Sequence, residues 1–380
     1  MPLDFLKDKT ILVTGGTGSF GKNFVEFLLK NSEAKKIIVF SRDEFKQSQM
    51  QTELRNDERL RFFLGDVRDL PRLQRAFNGV NIMVHAAALK QVPTLEYNPF
   101  EAVKTNILGS QNVIDAAIDQ GVGKTLLIST DKAVQPINLY GSTKLCAEKL
   151  FINGNSYTDG RLKFACVRYG NVIGSRGSIV ETLLKNPNAK KVYITDEGMT
   201  RFWLSLEESF KLVLFALENM EGGEVFVPKV PSMKLVDLFD ALAPNAEREI
   251  IGVREGEKLH EILLTMDEAK HTIEIDKYFV IIPEYKENSK KDNYKKYFDN
   301  GKRLSSDFHF ASQTNHEWLT KDDLKNLILK NENFYKAAPL LSLSSTMKSG
   351  GQYAQENDTN DIEENKNTEI GNAEELKEIK

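Results

Sequence analysis

The sequence is short of cysteine and histidine and lacks any long apolar run. Two cysteines, Cys146 and Cys166, exclude a disulfide framework and a cysteine-rich metal site. Five histidines, none spaced as a ligand pair, argue against a zinc enzyme, and no metal is expected. No apolar stretch approaches the ~18–20 residues of a membrane helix. The opening segment Met1–Lys9 carries acidic residues and no apolar h-region, so it is not read as a secretory signal. A cytoplasmic globular protein is expected, with no membrane and no nucleic-acid partner.

The 380 residues, 41% hydrophobic and 28% charged, suffice for a sizeable core and suggest two domains plus a remainder. The net charge of −4 is unevenly spread. From Gly351 to Lys380 nine acidic residues face three lysines, and removing that −6 leaves the other 350 residues at +2. From about Leu340 onward a Ser/Gly stretch and then acidic, aromatic-poor sequence predict a disordered tail, residues 340–380.

The first third alternates β-rich runs with helical patterns. Strands are predicted at Thr10–Thr14, Lys36–Phe40, Arg61–Leu64, Asn81–His85 and Lys124–Ser129, with helices at Phe20–Lys30, Glu44–Arg55, Asp69–Phe77 and Pro99–Gln120. Runs such as Ile37-Ile38-Val39-Phe40 are apolar throughout, as in strands buried on both faces of a parallel sheet. The fold class is therefore α/β, a doubly wound parallel sheet, extended by a helix at Asn138–Asn153 and a strand at Lys163–Tyr169. Residues 1–170 form a predicted dinucleotide-binding domain and 171–335 a smaller α/β substrate domain, with some chain exchange between them. In the second, strands are predicted at Val192–Thr195, Glu224–Pro228 and Glu249–Val253, and helices at Leu206–Glu218, Met233–Leu242, Glu257–Leu264 and Lys321–Asn331. Asn288–Arg303 is predicted as loop.

Thr14-Gly15-Gly16-Thr17-Gly18-Ser19-Phe20-Gly21 sits between the first strand and the first helix. Gly15 permits the tight turn, Gly18 lets backbone approach a pyrophosphate, and Gly21 allows close helix packing, while the helix N-terminus offers free N–H groups. Thr17, Ser19 and Phe20 belong to the same turn. The second strand ends in Ser41-Arg42-Asp43, with Lys46 one turn later. Ser41 replaces the acid that holds a ribose 2′-hydroxyl in NAD binders, and Arg42 and Lys46 suit a 2′-phosphate, which favours NADP over NAD. Asp66 and Val67 are placed to meet the adenine, and the small residues Ala86 and Ala87 let a cofactor lie close.

Ser129-Thr130-Asp131-Lys132 ends the fifth strand, and Tyr140 and Lys144 follow at i and i+4 on one helix face. Lys144, aimed at Tyr140, would lower the phenol's pKa and let it take a proton from a substrate hydroxyl that Thr130 orients, while hydride leaves for a nicotinamide. Asp131 and Lys132 add an acid and a base that plain oxidoreduction does not need. Burial and neighbouring cations are expected to lower the pKa of Lys132 so that it can act as the base. Taken singly, Y-x-x-x-K is a common surface pair and Asp-Lys a common turn; their place in a dinucleotide domain gives them the catalytic reading.

Together these residues resemble the extended short-chain dehydrogenase/reductases. More closely, they are similar to the soluble inverting UDP-N-acetylglucosamine 4,6-dehydratases of pseudaminic acid biosynthesis. The resemblance runs from about Leu6 to Leu327. Besides the stretches above it rests on His85–Pro93, Ala133–Val134, Pro136–Gly141, Arg168–Val172, Met199–Trp203 and Gly256–Glu261. It implies that Asp131 and Lys132 are the dehydration and epimerisation pair and Tyr140 the oxidation base. Val172 joins Tyr140 and Lys144 among the cofactor contacts. Lys90, Asn171, Thr195 and Met199 look like sugar or nucleotide contacts, and Arg254 and Glu257 like a diphosphate and ribose clamp. Arg254 and Glu257 suit equally a helix-start ion pair, and Met199 and Trp203 suit a core. Gln135 stands where the family pattern has Asn. The implied substrate is UDP-N-acetylglucosamine and the implied assembly a homo-oligomer, a dimer or larger, through Pro99–Gln120 and Asn138–Asn153. Two rivals stand beside this reading: a nucleotide-sugar 4-epimerase and a non-catalytic NADP-binding regulator.

The cations Arg42, Lys46, Lys90, Lys132, Lys144 and Arg254 all fall in the expected sites, and the acidic excess lies in the tail. Deleting Gly351–Lys380 is expected to leave turnover within about twofold of the full chain in a steady-state assay, since segments of this composition do not build a packed core.

Overall fold

In the computed structural model, residues 3–54, 57–175, 177–283 and 291–330 are described. The tail predicted from 340 onward lies outside them, as does the end of the expected second domain. Strands β1 Thr10–Thr14, β2 Lys36–Ser41, β3 Leu60–Leu64, β4 Ile82–His85, β5 Lys124–Ile128 and β6 Lys163–Val167 pair in parallel. Their order, β3-β2-β1-β4-β5-β6, reverses direction between β1 and β4. The crevice outside the strand ends at such a reversal is where open α/β sheets bind ligands. In β1, β2 and β4 nearly every residue is buried, because helices cover both faces.

Beyond β6 come β7 Asn171–Ile173, β8 Lys191–Ile194, β9 Thr200–Ser205, β10 Val225–Pro228, β11 Ser232–Lys234, β12 Glu247–Ile250, β13 Ile262–Leu264, β14 Thr272–Ile275, β15 Tyr278–Ile281, β16 Lys302–Arg303 and β17 Phe310–Ala311. β10 continues the main sheet in parallel with β6, and β15, β14 and β16 extend it antiparallel. β11, β9 and β7 form a second small sheet. A second apolar cluster, centred on Met199, Trp203, Met233 and Leu238, draws its residues from Ile173 to Ile328.

Two predicted elements are corrected. Glu257–Leu264 is not a helix: residues 257–261 are irregular and Ile262–Leu264 is strand β13, paired with β17. The guanidinium of Arg201 takes the carbonyls of Leu259 and Lys258 that a helix would use internally. Within the predicted loop Asn288–Arg303, Lys291–Asn300 is a helix and Lys302–Arg303 is β16. Tyr294 and Tyr297, three residues apart, bury their rings and donate from their hydroxyls to Gly222 O (2.6 Å) and Glu224 Oε1 (2.8 Å). Two aromatic anchors on one face outweigh the Lys/Asn-rich composition around them.

A buried ion network ties the first and later parts of the chain together. Arg168, just after β6, pairs with Glu148 on helix Leu139–Gly154 (2.7 Å) and with Glu268 on helix Met266–Ala269 (3.0 Å). Glu148 also accepts from Ser129 Oγ at the end of β5 (2.5 Å). Removing one partner would strand a buried charge, which costs about 3–5 kcal/mol. Arg168→Met is therefore expected to lower unfolding free energy by about that amount in chemical denaturation, and the double variant Arg168→Met/Glu148→Leu to recover part of it.

Candidate active site

The turn after β1 lies against the end of β4. Gly15 has φ +63°, and a Cβ there would meet Ala87 N at 2.8 Å, so only glycine fits. Gly21, in the first turn of helix Ser19–Asn31, packs directly on Gly15 and Gly16. A Cβ on Gly18 would have Gly15 O, at 3.1 Å, as its single neighbour within 4 Å. The turn thus leaves an open backbone cradle at a helix N-terminus, where free N–H groups suit a phosphate.

A cleft of about 680 Å³ opens from this cradle. Of the predicted cofactor residues, Gly15, Thr17, Gly18, Ser41, Arg42, Asp43, Lys46, Asp66, Val67, Ala86 and Ala87 line it. Phe40, Gly65, Ala88, Leu89 and Thr105 join them. Ser19, Phe20, Gly21, Tyr140, Lys144 and Val172 are not in its wall. Phe20 instead stacks on Phe24 and meets Phe210 edge-on, with centroids at 5.3 and 5.7 Å, and Val172 packs on the main core. The residues present fit a dinucleotide in shape and in donor chemistry.

The end of β2 has its own logic. Asp43 caps helix Glu44–Glu53, accepting from Lys46 N, and pairs with Lys46 Nζ at 2.8 Å. Those bonds hold its carboxyl below its ordinary pKa. Ser41 Oγ accepts from Gln47 (3.0 Å). Arg42 is exposed over the cleft, 3.5 Å from Asp66. Asp66 is further bound by Arg68 (2.7 Å).

The side chains expected to be catalytic gather at the end of β5. Asp131 is fully buried; its backbone N–H donates to Tyr169 O (3.0 Å), and its Oδ1 accepts from Thr130 Oγ1 (2.9 Å) and Lys132 Nζ (3.1 Å). Its Oδ2 is buried without a hydrogen-bond partner. Such an atom is costly unless a ligand meets it. Tyr140 opens helix Leu139–Gly154, which Asn138 caps by accepting from Gly141 N (2.8 Å). Burial pushes the Tyr140 phenol up, while the charge of Lys132 and a hydrogen bond with Thr130 pull it down.

Two expectations about this cluster are corrected. Lys144 shares a helix face with Tyr140, yet its Nζ donates to Ile128 O (2.8 Å) at the end of β5, and the cation that acts on the phenol is Lys132. Burial lowers the Lys144 pKa to about 8. The pKa of Lys132 is raised rather than lowered. Burial pulls it down, but the carboxylates of Asp131 and Glu261, the latter at 3.4 Å, outweigh burial and the repulsion of Arg201.

The expected substrate residues divide. Asn171 is half-buried on β7, with its Oδ1 enclosed and without a partner. Lys90, next to the cleft-lining Leu89, is exposed; partial desolvation and the charge of Lys132 lower its pKa. Thr195 is buried. Met199 is fully buried in the second apolar cluster, so its side chain offers a ligand no surface. Arg254 is exposed, and Glu257 pairs with Arg201 (3.5 Å) in an irregular segment, so the helix-start ion pair between Arg254 and Glu257 is not formed. Gln135 has φ +45°, the left-handed region in which Asn is at less cost than Gln.

Sequence reasoning missed three contributors. Asn106 lies in the π-helical turn Val103–Leu108 that interrupts the predicted helix Pro99–Gln120. It bonds Leu89 N (2.8 Å), Leu89 O (2.9 Å) and Thr143 Oγ1 (3.0 Å), joining the loop after β4 to helix Leu139–Gly154. Arg201 and Glu261 come from β9 and the segment before β13. Both fall within the quoted stretches Met199–Trp203 and Gly256–Glu261, but nothing in their spacing aims them at Lys132.

A family model described as polysaccharide biosynthesis protein matches residues 11–283. A UDP-N-acetylglucosamine 4,6-dehydratase (inverting) of Campylobacter jejuni is 47% identical over 331 residues, covering 86% of this chain and 99% of its own. A UDP-glucose 4-epimerase of Rickettsia rickettsii is 40% identical over 331 residues, covering 85% and 96%. Among solved structures, Pen from Bacillus thuringiensis has a TM-score of 0.77 at 37% identity, covering 86% of this chain and 99% of its own. The dTDP-glucose 4,6-dehydratase DesIV of Streptomyces venezuelae, with NAD and DAU bound, shares the fold, with a TM-score of 0.58 at 23% identity over 66% of this chain and 86% of its own. With a match that spans residues 11–283, the chain belongs to the polysaccharide biosynthesis protein family of the extended short-chain dehydrogenase/reductases.

Proposed function

We propose that the protein is a UDP-N-acetylglucosamine 4,6-dehydratase that inverts C5 and yields UDP-2-acetamido-2,6-dideoxy-β-L-arabino-hex-4-ulose for synthesis of pseudaminic acid or a related surface glycan. The observation that carries this is the Asp131–Lys132 pair, 3.1 Å apart and beside Tyr140 and Thr130. A 4-epimerase needs the tyrosine and the hydroxyl; the added acid and base have work only in an elimination. The similarity to the Campylobacter jejuni enzyme supports the same reading.

Gly15, Thr17, Gly18 and the N-terminus of helix Ser19–Asn31 would hold the pyrophosphate of NADP, Asp66 and Val67 its adenine, and Arg42 and Lys46 its 2′-phosphate. Asp43 is engaged in its cap and ion pair, which favours NADP over NAD. Lys144 spends one ammonium proton on Ile128 O and keeps two donors for a ribose. The bound nicotinamide supplies the hydride acceptor for C4 and the donor for C6.

Tyr140 takes the proton from the C4 hydroxyl, with Thr130 orienting it. The resulting ketone acidifies C5. Asp131 protonates the departing C6 hydroxyl and Lys132 takes the C5 proton. These roles require a proton on Asp131 and a lone pair on Lys132, and the 3.1 Å hydrogen bond from Nζ to Oδ1 is a direct path for that one proton. Asn171 and Lys90 contact the sugar nucleotide. Phe100 and Leu108 are exposed apolar side chains on the segment expected to form a homo-oligomer, and burying them between copies supports that assembly.

Incubation with UDP-N-acetylglucosamine in D2O, followed by proton NMR, is expected to show a new C6 methyl signal and loss of the C5 proton signal. A C4-epimerised sugar without a methyl would support the epimerase, and cofactor binding without turnover the regulator. Lys132→Ala is expected to lower kcat at least about a hundredfold, the scale of a lost general base. Product formed at the wild-type rate would remove Lys132 from the base role.

Arg42→Ala is expected to weaken NADP binding about tenfold or more and NAD binding less than about twofold in calorimetric titration, the scale of one charge-assisted contact. Equal losses for both dinucleotides would overturn the 2′-phosphate assignment.

A further inference from the structure

Glu261 has no role in the mechanism above, yet its carboxylate is only 2% exposed and faces the reactive cluster. Its Oε1 is 3.4 Å from Lys132 Nζ and 3.9 Å from Arg201 Nε, and its Oε2 is 3.8 Å from Lys258 Nζ. That Oε2 has no hydrogen bond. A buried carboxylate in this state is expensive unless the surrounding charge needs it.

The three cations are not equivalent. Arg201 is held by the carbonyls of Thr200, Leu259 and Lys258. Lys258 donates to Val134 O. The other anchor of Lys132 is the Asp131 carboxylate, so Nζ lies between two carboxylates contributed by distant parts of the chain. Glu261 is itself fixed from behind: its N–H donates to Ser312 Oγ (2.9 Å), and the next residue enters β13, paired with β17. Asn138, the cap of the helix that carries Tyr140, donates to Gly256 O (2.7 Å) and seats the segment before Glu261 on the reactive turn.

We propose that Glu261 is a positioning residue for Lys132, holding Nζ against Asp131 and stabilising the ammonium that forms when Nζ takes the C5 proton. The proposal rests on the dehydratase reading for its substrate. In the step concerned, the C5–H bond breaks and an N–H bond forms on Nζ. The C5–H electron pair becomes the C5–C6 double bond, and the C6–O bond breaks with its oxygen protonated by Asp131.

The charged and titratable groups facing Lys132 are Asp131 on its own turn, Tyr140 on the following helix and Lys90 after β4, with Arg201 on β9 and Lys258 and Glu261 before β13. Removing the charge of Glu261 leaves Asp131 as the one carboxylate against Arg201, Lys90 and Lys258. Lys132 would then lose its proton at lower pH and be a weaker base.

The test compares wild-type holoenzyme with Glu261→Gln. Competitive acetylation by acetic anhydride at pH 8, read by peptide mass spectrometry, should label Lys132 about tenfold or more faster in the variant, relative to the exposed Lys211. That factor corresponds to one pH unit, the low end of the shift an opposite charge at this distance produces. The fall of kcat at high pH, where the Asp131–Lys132 pair gives up the one proton its two roles share, should begin at lower pH in the variant, with kcat below that fall about tenfold lower and KM changed less than about threefold. An unchanged labelling ratio together with an unchanged kcat profile overturns the proposal. Should Glu261→Gln not fold, Glu261→Asp, whose carboxylate recedes from Nζ, should shift the labelling in the same direction by a smaller factor; no shift overturns the proposal as well. Faster labelling in an enzyme whose wild type forms no methyl product would sink the dehydratase reading and leave the pairing standing.

Discussion

The Arg168 guanidinium, buried between Glu148 and Glu268, is the interaction on which the geometry of the site depends. Glu148 lies two turns beyond Tyr140 on the same helix and also accepts from Ser129, the residue before Thr130. Fixing Glu148 therefore fixes the helix carrying Tyr140 relative to the strand end carrying Thr130, Asp131 and Lys132. Glu268 brings in a helix more than a hundred residues later, next to the segment that delivers Glu257 and Glu261. A buried guanidinium serves this purpose because its planar fork can bind two carboxylates at once and does not lose its charge.

Around Lys132 the same principle operates at a finer scale. Burial would strip its proton, and the carboxylates of Asp131 and Glu261 keep it. The ammonium of Lys132 is thus held against the carboxylate of Asp131. In the proposed reaction the short path to Asp131 lets one proton transfer create both the acid and the base. Opposing contributions of this kind, burial against paired charge, are how buried groups are tuned to the chemistry they serve.

The parallel sheet and its glycine turn were legible in the sequence because their signals are local. β1 was predicted at Thr10–Thr14 and is found there, and the helix after it differs from prediction by one residue at each end. Gly15 could be assigned its turn because no other residue tolerates that backbone at that distance from Ala87. The helix at Lys291–Asn300 was hidden, since its two anchoring tyrosines look ordinary until Gly222 and Glu224 are seen to receive them. The segment 257–261 was misread for a related reason: its pattern suits a helix, and the guanidinium that claims its carbonyls lies some sixty residues earlier.

By itself the sequence determined the fold class, the place of the dinucleotide cleft and the identity of Thr130, Asp131, Lys132 and Tyr140 as a chemical group. Each follows from periodicity, glycine stereochemistry or residues adjacent in the chain. Only the tertiary structure decided the electrostatics. It turned Lys144 toward Ile128 O, withdrew Met199 into the core, paired Glu257 with Arg201, and set Arg201 and Glu261 against Lys132. Charge interactions act through space and depend steeply on burial, so residues 132, 201 and 261 can be partners without any trace of it in their spacing.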